Sequence, residues 1–154
     1  MKRLIVLLLA VLLMPIYLHA SDKDSFSETI KTPYLIWKQA IVITSRNNRV
    51  ESERLVLNFI SEWDSAVGKI RTVPSDYAKS KDFFESINEI KKNAEKALDE
   101  IRKDKVLESH ETLEKIRYIL WGLRAENGII SLNDKINDFH EIMEIVFEEL
   151  ELAE

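Results

Sequence analysis

The sequence predicts an all-α fold, an up-and-down antiparallel bundle of four to five helices, and three observations predict it. Beyond residue 20, only Gly68, Gly122, Gly128, Pro33 and Pro74 punctuate the chain, so long uninterrupted helices are the default. Apolar residues recur at three-and-four spacing through several stretches of about twenty residues, which lines one face of a helix. Strand patterns are nearly absent. The one β-branched run, Ile41 to Thr44, continues the helical spacing set by Leu35, Ile36 and Ala40.

The chain begins with Lys2 and Arg3, runs through apolar residues from Leu4 to Met14, and reaches Ala20 just before the polar stretch from Ser21 to Ser25. That order of charge, apolar run and small residue is a secretory signal. A bilayer span needs about 20 apolar residues, and Pro15 interrupts this run well before that. Residues 1–20 are therefore expected to be a cleaved signal peptide, with no stable membrane insertion afterwards. Residues 21–31 are expected to be a flexible N-terminal segment and 32–154 the helical bundle domain. No cysteine and no Asn-x-Ser/Thr acceptor occurs anywhere, which points to a Gram-negative periplasm and away from a disulfide-stapled secreted domain.

The first helix is expected to start with Thr32 as cap and Pro33 in the first turn, where a missing N–H costs nothing, and to reach about Ser45. Asn47 and Asn48 make the turn. The second runs from about Val50 to Arg71, its face carrying Val56, Phe59, Ile60, Trp63, Val67 and Ile70, and Pro74 and Ser75 end it. A linker to about Lys79 leads into the third, where Phe83, Ile87, Ile90, Ala94, Ala97 and Ile101 repeat the stripe. Lys103 to Lys105 break the chain briefly. The fourth runs from about Val106 to Ala125, with Leu113, Ile116, Leu120 and Leu123 inside, and Asn127-Gly128 stops it in the left-handed manner. The fifth, Ser131 to Leu152, has Leu132, Ile136, Phe139, Met143, Val146 and Leu150 in four-three alternation. Short connections make neighbours antiparallel. A loose echo relates Ala40, Asn48-Arg49-Val50, Ser52 and Trp63 to Ala97, Asp104-Lys105-Val106, Ser109 and Trp121.

The formal net charge is −5; without residues 1–20, 20 basic residues face 27 acidic ones, a net −7. A surface of that sign repels phosphate backbones, so nucleic acid is excluded as a partner. No nucleophile motif, glycine-rich phosphate loop, His-Glu-x-x-His signature or Cys-x-x-Cys-His haem attachment is present.

The most specific pattern is a repeated pentad, His110-Glu111-Thr112-Leu113-Glu114 and His140-Glu141-Ile142-Met143-Glu144. Each sets a histidine and a glutamate one turn apart on one side of a helix, a spacing at which two side chains can share an ion. A turn centred near Gly128 opposes residues whose numbers sum to about 256. His110 with Glu144, and Glu114 with His140, both sum to 254. His110, Glu114, His140 and Glu144 are thus the candidate metal ligands, suited to a divalent ion such as zinc, iron or copper. The plainer alternative is a pair of cross-helix His–Glu hydrogen bonds that fix the register without any ion. Arg117 and Arg124 flank the fourth stripe, placed to pair either an anionic ligand or carboxylates such as Glu114 and Asp138. Trp37, Trp63, Trp121, Tyr34 and Tyr118 read mainly as core or rim.

The stretch from Ala97-Leu98 through Val106 and Glu108 to Arg117 resembles the helix, short break and helix of periplasmic cytochrome c-prime-like four-helix bundles. The resemblance covers about a third of the chain and rests on hydrophobic spacing. It implies the bundle architecture and the compartment. The haem attachment cysteines are missing near Trp121 to Arg124, so it implies no covalent cofactor.

These readings lead to a non-enzymatic exported bundle that binds a small ligand or metal ion. A second reading is an accessory module that docks a protein partner through the fifth helix, where Ile142, Ile145 and Leu152 widen the apolar surface. A third is a metal-dependent enzyme using the same four residues.

Overall fold

A computed structural model describes residues 25–130 together with 134 and 135. Among these residues the chain is all helix, turn and loop. α1 spans Ser25–Thr29, α2 Lys31–Thr44, α3 Arg49–Val67, α4 Phe83–Arg102 and α5 Val106–Asn127, with a single 3₁₀ turn at Ser75–Tyr77. Each of the four long helices packs on the next, and α2 closes back onto α5. The result is the expected up-and-down bundle.

The apolar stripes dictate this closure. Phe83, Ile87, Ile90, Ala94, Ala97 and Ile101 of α4 are all buried, as are Val106, Leu113, Ile116, Leu120 and Leu123 of α5. Phe59 and Trp63 of α3 meet Trp37 and Ala40 of α2 in the same continuous core. Burying each such large side chain contributes roughly 1.5–3 kcal/mol, which drives the four amphipathic faces together. The Trp37 indole N–H donates to the Leu113 carbonyl at 3.0 Å. That bond fastens α2 to α5 inside the core and leaves the indole nitrogen satisfied.

Two boundaries differ from the sequence reading. The segment expected to be flexible at 21–31 contains α1 from Ser25 onward, and Phe26 and Ile30 are buried. The Phe26 ring sits 5.1 Å from those of both Tyr77 and Phe83, edge to face. Its burial offsets the entropy of ordering the segment. Thr32 is consequently not a cap: Ile30 takes that position without a side-chain bond. Its amide already bonds Phe26 O at 2.9 Å, and Tyr34 N bonds Ile30 O at 2.9 Å. The chain passes from α1 to α2 with hardly a break, and Pro33 sits in the first turn, where it displaces little.

α3 stops at Val67, four residues before the expected end, because Gly68 and the Lys69-Ile70 turn close its last carbonyls. The 3₁₀ turn that follows buries Tyr77 completely. At the other end of α3, the Asn48 side chain accepts from Glu51 N at 3.2 Å, a regular N-cap. Asn47 and Asp104 hold the two matching turns with φ of 54° and 64°, conformations that Asn and Asp tolerate best among residues with a Cβ. Gly128 ends α5 at φ 72°, with Ile129 N on Arg124 O at 2.9 Å and Gly128 N on Ala125 O at 3.1 Å. That is the Schellman arrangement expected of Asn127-Gly128. Residues 1–20, read as a signal, and most of the fifth predicted helix lie outside the described residues.

Candidate functional site

α5 places His110 and Glu114 one turn apart, on the side that faces α2. The imidazole Nδ1 lies 3.2 Å from Ile41 O and 3.2 Å from Thr44 Oγ1. A carbonyl can only accept, so Nδ1 carries the proton. The Thr44 hydroxyl in turn donates to Ala40 O and Ile41 O at 2.9 Å each. This assignment leaves Nε2 with its lone pair, 3.9 Å from Glu114 Oε1 and beyond hydrogen-bond reach. A histidine whose Nδ1–H is pinned to a main-chain carbonyl has its other nitrogen oriented as in metal-binding histidines.

Glu114 is differently engaged. Both of its oxygens lie 2.7 Å from Arg117 Nη2, so the carboxylate is held by a guanidinium on its own helix. His140 and Glu144 lie outside the described residues. Among the described residues no group of three or more histidine or carboxylate side chains is gathered that could hold a metal. The structure thus describes two of the four predicted ligands, side by side but with the glutamate already neutralised.

The second feature is a buried ion pair. Arg124 and Asp134 are each less than a tenth exposed. The guanidinium grips the carboxylate through Nε, at 3.1 and 2.8 Å from Oδ1 and Oδ2, and through Nη2 onto Oδ1. Burial pulls the Arg124 pKa down, and the hydrogen bonds and charge of Asp134 more than reverse it, so the guanidinium stays charged. Tyr34, beside this pair, has its phenol pushed above the ordinary range. Burial is the main cause, with Arg124 opposing it and Asp134 adding to it. The two arginines considered for an anionic ligand are therefore both paired internally, Arg117 with Glu114 and Arg124 with Asp134. The numbers of Arg124 and Asp134 sum to 258, close to the register predicted for a turn centred near Gly128.

A third feature was not read from the sequence. The outward faces of α2 and α3 enclose an open groove of about 490 Å³, lined by Leu35, Lys38, Gln39, Val42 and Ile43 from α2 and by Glu51 and Leu55 from α3. Leu35 is 55% and Val42 47% exposed, so the groove presents aliphatic surface to water. The signal for it lay in α2 itself. Leu35, Ile36, Ile41, Val42 and Ile43 exceed what one core stripe can bury, and α2 contains no acidic residue. At its edge the Lys38 ammonium sits 5.6 Å from the centre of the Tyr34 ring, a cation–π placement. Beyond the α2–α3 turn, the groove along Arg49, Val50, Glu53, Arg54 and Leu57 is more polar. Its arginines are engaged: Arg49 with Ile101 O and Arg102 O, Arg54 with Glu51. No described helix is long and apolar enough to cross a membrane.

Comparison with known proteins does not add a relative. No family model, curated protein or solved structure matches the chain. The functional reading is carried by the residues above.

Proposed function

We propose that this chain is a non-enzymatic, exported helical-bundle protein that binds a partner through the groove between α2 and α3. The observation that carries the reading is the pairing of exposed Leu35 and Val42 with Ile43 and Leu55 around a trough that is open among the described residues. Small ligands favour enclosed pockets that cover most of their surface. A long open trough between two helices suits the apolar face of a third helix, laid in at i, i+3, i+4 and i+7 spacing. The rim supplies the polarity: Lys38 rests on an aromatic ring, α2 has no carboxylate, and the Glu51 carboxylate on the α3 side is already held by Arg54. The occupant that fits is an amphipathic helix with acidic residues flanking its leucine-type stripe. Export is inferred from the charge, apolar and small-residue order of residues 1–20.

The reading is tested with a fluorescently labelled synthetic helix of that composition and the full chain, followed by anisotropy. Val42→Asp puts a charge in the trough at an exposed position, where the fold tolerates it, and is expected to weaken binding at least tenfold. Val50→Asp, on the neighbouring surface, should leave it unchanged. Equal binding by the wild type and the Val42→Asp chain would remove the groove as the site.

One observation favours a second reading, the binding of a divalent metal such as zinc, iron or copper at His110, Glu114, His140 and Glu144. It is the orientation of His110, whose Nδ1 faces Ile41 O and whose Nε2 faces Glu114. Metal content and visible spectrum, recorded for the wild type and for a His110→Ala/His140→Ala chain, decide it. Metal retained equally by both would dismiss this site.

A further inference from the structure

We propose that Asn127 is a site of spontaneous covalent modification: deamidation through attack of the Gly128 amide nitrogen, held in check by a side-chain latch and released when this end of the bundle opens. Asn127-Gly128 is the one Asn-Gly step in the sequence. Glycine has no Cβ to crowd its own nitrogen or to restrict its backbone, so an unrestrained Asn-Gly step undergoes this reaction more readily than Asn before any other residue.

The reaction balances with water as co-reactant. The Gly128 nitrogen gives its proton to solvent base and forms a bond to Asn127 Cγ. The Cγ–Nδ2 bond breaks, and Nδ2 takes up a proton and leaves as ammonia. Water then opens the cyclic imide. Addition at Cγ gives aspartate, and addition at the main-chain carbonyl carbon gives isoaspartate, whose backbone is one carbon longer. Nothing is oxidised or reduced.

The folded geometry opposes the first step. Asn127 Oδ1 accepts from Lys79 N at 2.9 Å, while Nδ2 donates to Ser80 Oγ at 2.6 Å and to Leu123 O at 2.8 Å. These partners fix which atom is which, since a main-chain N–H only donates and a carbonyl only accepts. Both Nδ2 hydrogens and the oxygen are engaged, and the bond to Leu123 O holds the carboxamide against the preceding turn of α5. Asn127 is also the last helical residue, and closing a five-membered ring onto the next nitrogen requires its main chain to leave the helical conformation. The nucleophile is occupied as well, its N–H donated to Ala125 O at 3.1 Å.

The latch joins elements far apart in sequence. Lys79 and Ser80 lie between the 3₁₀ turn and α4, 48 and 47 positions from Asn127. Ser80 N bonds Tyr77 O at 3.0 Å, and Tyr77 packs on Phe26 of α1. Attack therefore waits for a local opening of this end, an event that costs less than unfolding the whole bundle. Modification then makes the opening permanent. Aspartate has no donor for Leu123 O and sets a negative charge at the negative end of α5. Isoaspartate, with its longer backbone, shifts Gly128 and Ile129 off their bonds to Ala125 O and Arg124 O.

The full chain is incubated in mildly alkaline buffer, native and in urea, and conversion of Asn127 is followed by released ammonia and peptide mass. Conversion is expected to be at least tenfold slower in the native chain. In urea, Gly128→Ala should slow it at least fivefold, which identifies the nucleophile. Ser80→Ala withdraws one latch partner and should speed native conversion several-fold, more than Trp37→Phe, which weakens the bundle elsewhere. In the modified chain, isolated by its added charge, the Gly128 and Ile129 amides should exchange hydrogen at least tenfold faster. No conversion in urea would overturn the site. Equal native and unfolded rates, or a Trp37→Phe effect as large as that of Ser80→Ala, would overturn the latch, and unchanged exchange would overturn the permanent opening.

Discussion

Arg124 and Asp134 hold each other across the turn at Gly128, a two-pronged ion pair almost without access to water. It ties the chain beyond the turn to α5 by charge. Taking both ions out of water is costly, and the pair compensates only while both partners are present.

Removing one member should therefore do more harm than removing both. Arg124→Leu leaves a buried, unpaired carboxylate and is expected to lower stability by about 3–5 kcal/mol. Arg124→Leu/Asp134→Leu should recover most of that loss. Urea unfolding followed by circular dichroism reads both values, and a double variant as unstable as the single one would mean that the pair is a net stabiliser.

Tyr34 gives the alkaline side of the pH profile. Its phenol is held above the ordinary value of 10.0 in the fold, chiefly by burial. A raised folded pKa contributes stability that is complete below the unfolded value and is lost as pH climbs through the folded one. Stability should therefore be flat up to about pH 10 and decline above it. Tyr34→Phe removes this component, so its decline should be shallower, and the latest-ionising phenolate should weaken in the ultraviolet titration at 295 nm.

The α2–α5 seam depends on one side-chain bond in the core. Trp37→Phe deletes the indole N–H that reaches Leu113 O and leaves a void where the larger ring packed. The expected loss is about 2–3 kcal/mol, about 1 from the bond and the rest from the void. Hydrogen exchange should quicken at amides of α2 more than at those of α4.

At Gly128 the backbone, and not space, sets the constraint. Nothing lies within 4 Å of an added Cβ, yet φ is 72°. Gly128→Ala should cost about 1–2 kcal/mol through the left-handed conformation alone, and Gly128→Asn less. Gly122→Ala, in the helix and equally open, should be neutral or slightly stabilising, since glycine weakens a helix interior by about 0.5–1 kcal/mol relative to alanine. Thermal unfolding of the three variants ranks them.

The helical stripes were legible because periodicity is a local property. Every apolar position expected for α4 is buried, and the left-handed stop at Gly128 stands where Asn127-Gly128 placed it. The echo between hairpins held at Ala40 and Ala97 and at Ser52 and Ser109, all fully buried, but failed at Val50 and Val106, the first exposed and the second buried, and at the tryptophans, with Trp63 in the core and Trp121 partly outside. Tertiary partners decided that difference. α1 escaped notice because Phe26 finds its neighbours at Tyr77 and Phe83, far along the chain and invisible to any local pattern. The candidate site was legible as a spacing, since His110 and Glu114 do share a face. That Arg117 would take the glutamate could be anticipated only as one of several pairings. The groove was hidden by the same cue that revealed the helices: on α2 an apolar residue can mean core or can mean an exposed ridge.

The aromatic triangle of Phe26, Tyr77 and Phe83 has an implication for how the molecule is born. Ser25 also bonds Asp76 through its amide at 2.7 Å and its hydroxyl at 2.9 Å, a separation of 51 positions. α1 thus docks onto residues synthesised about fifty positions later, and this end of the bundle cannot close until the connection between α3 and α4 has been made.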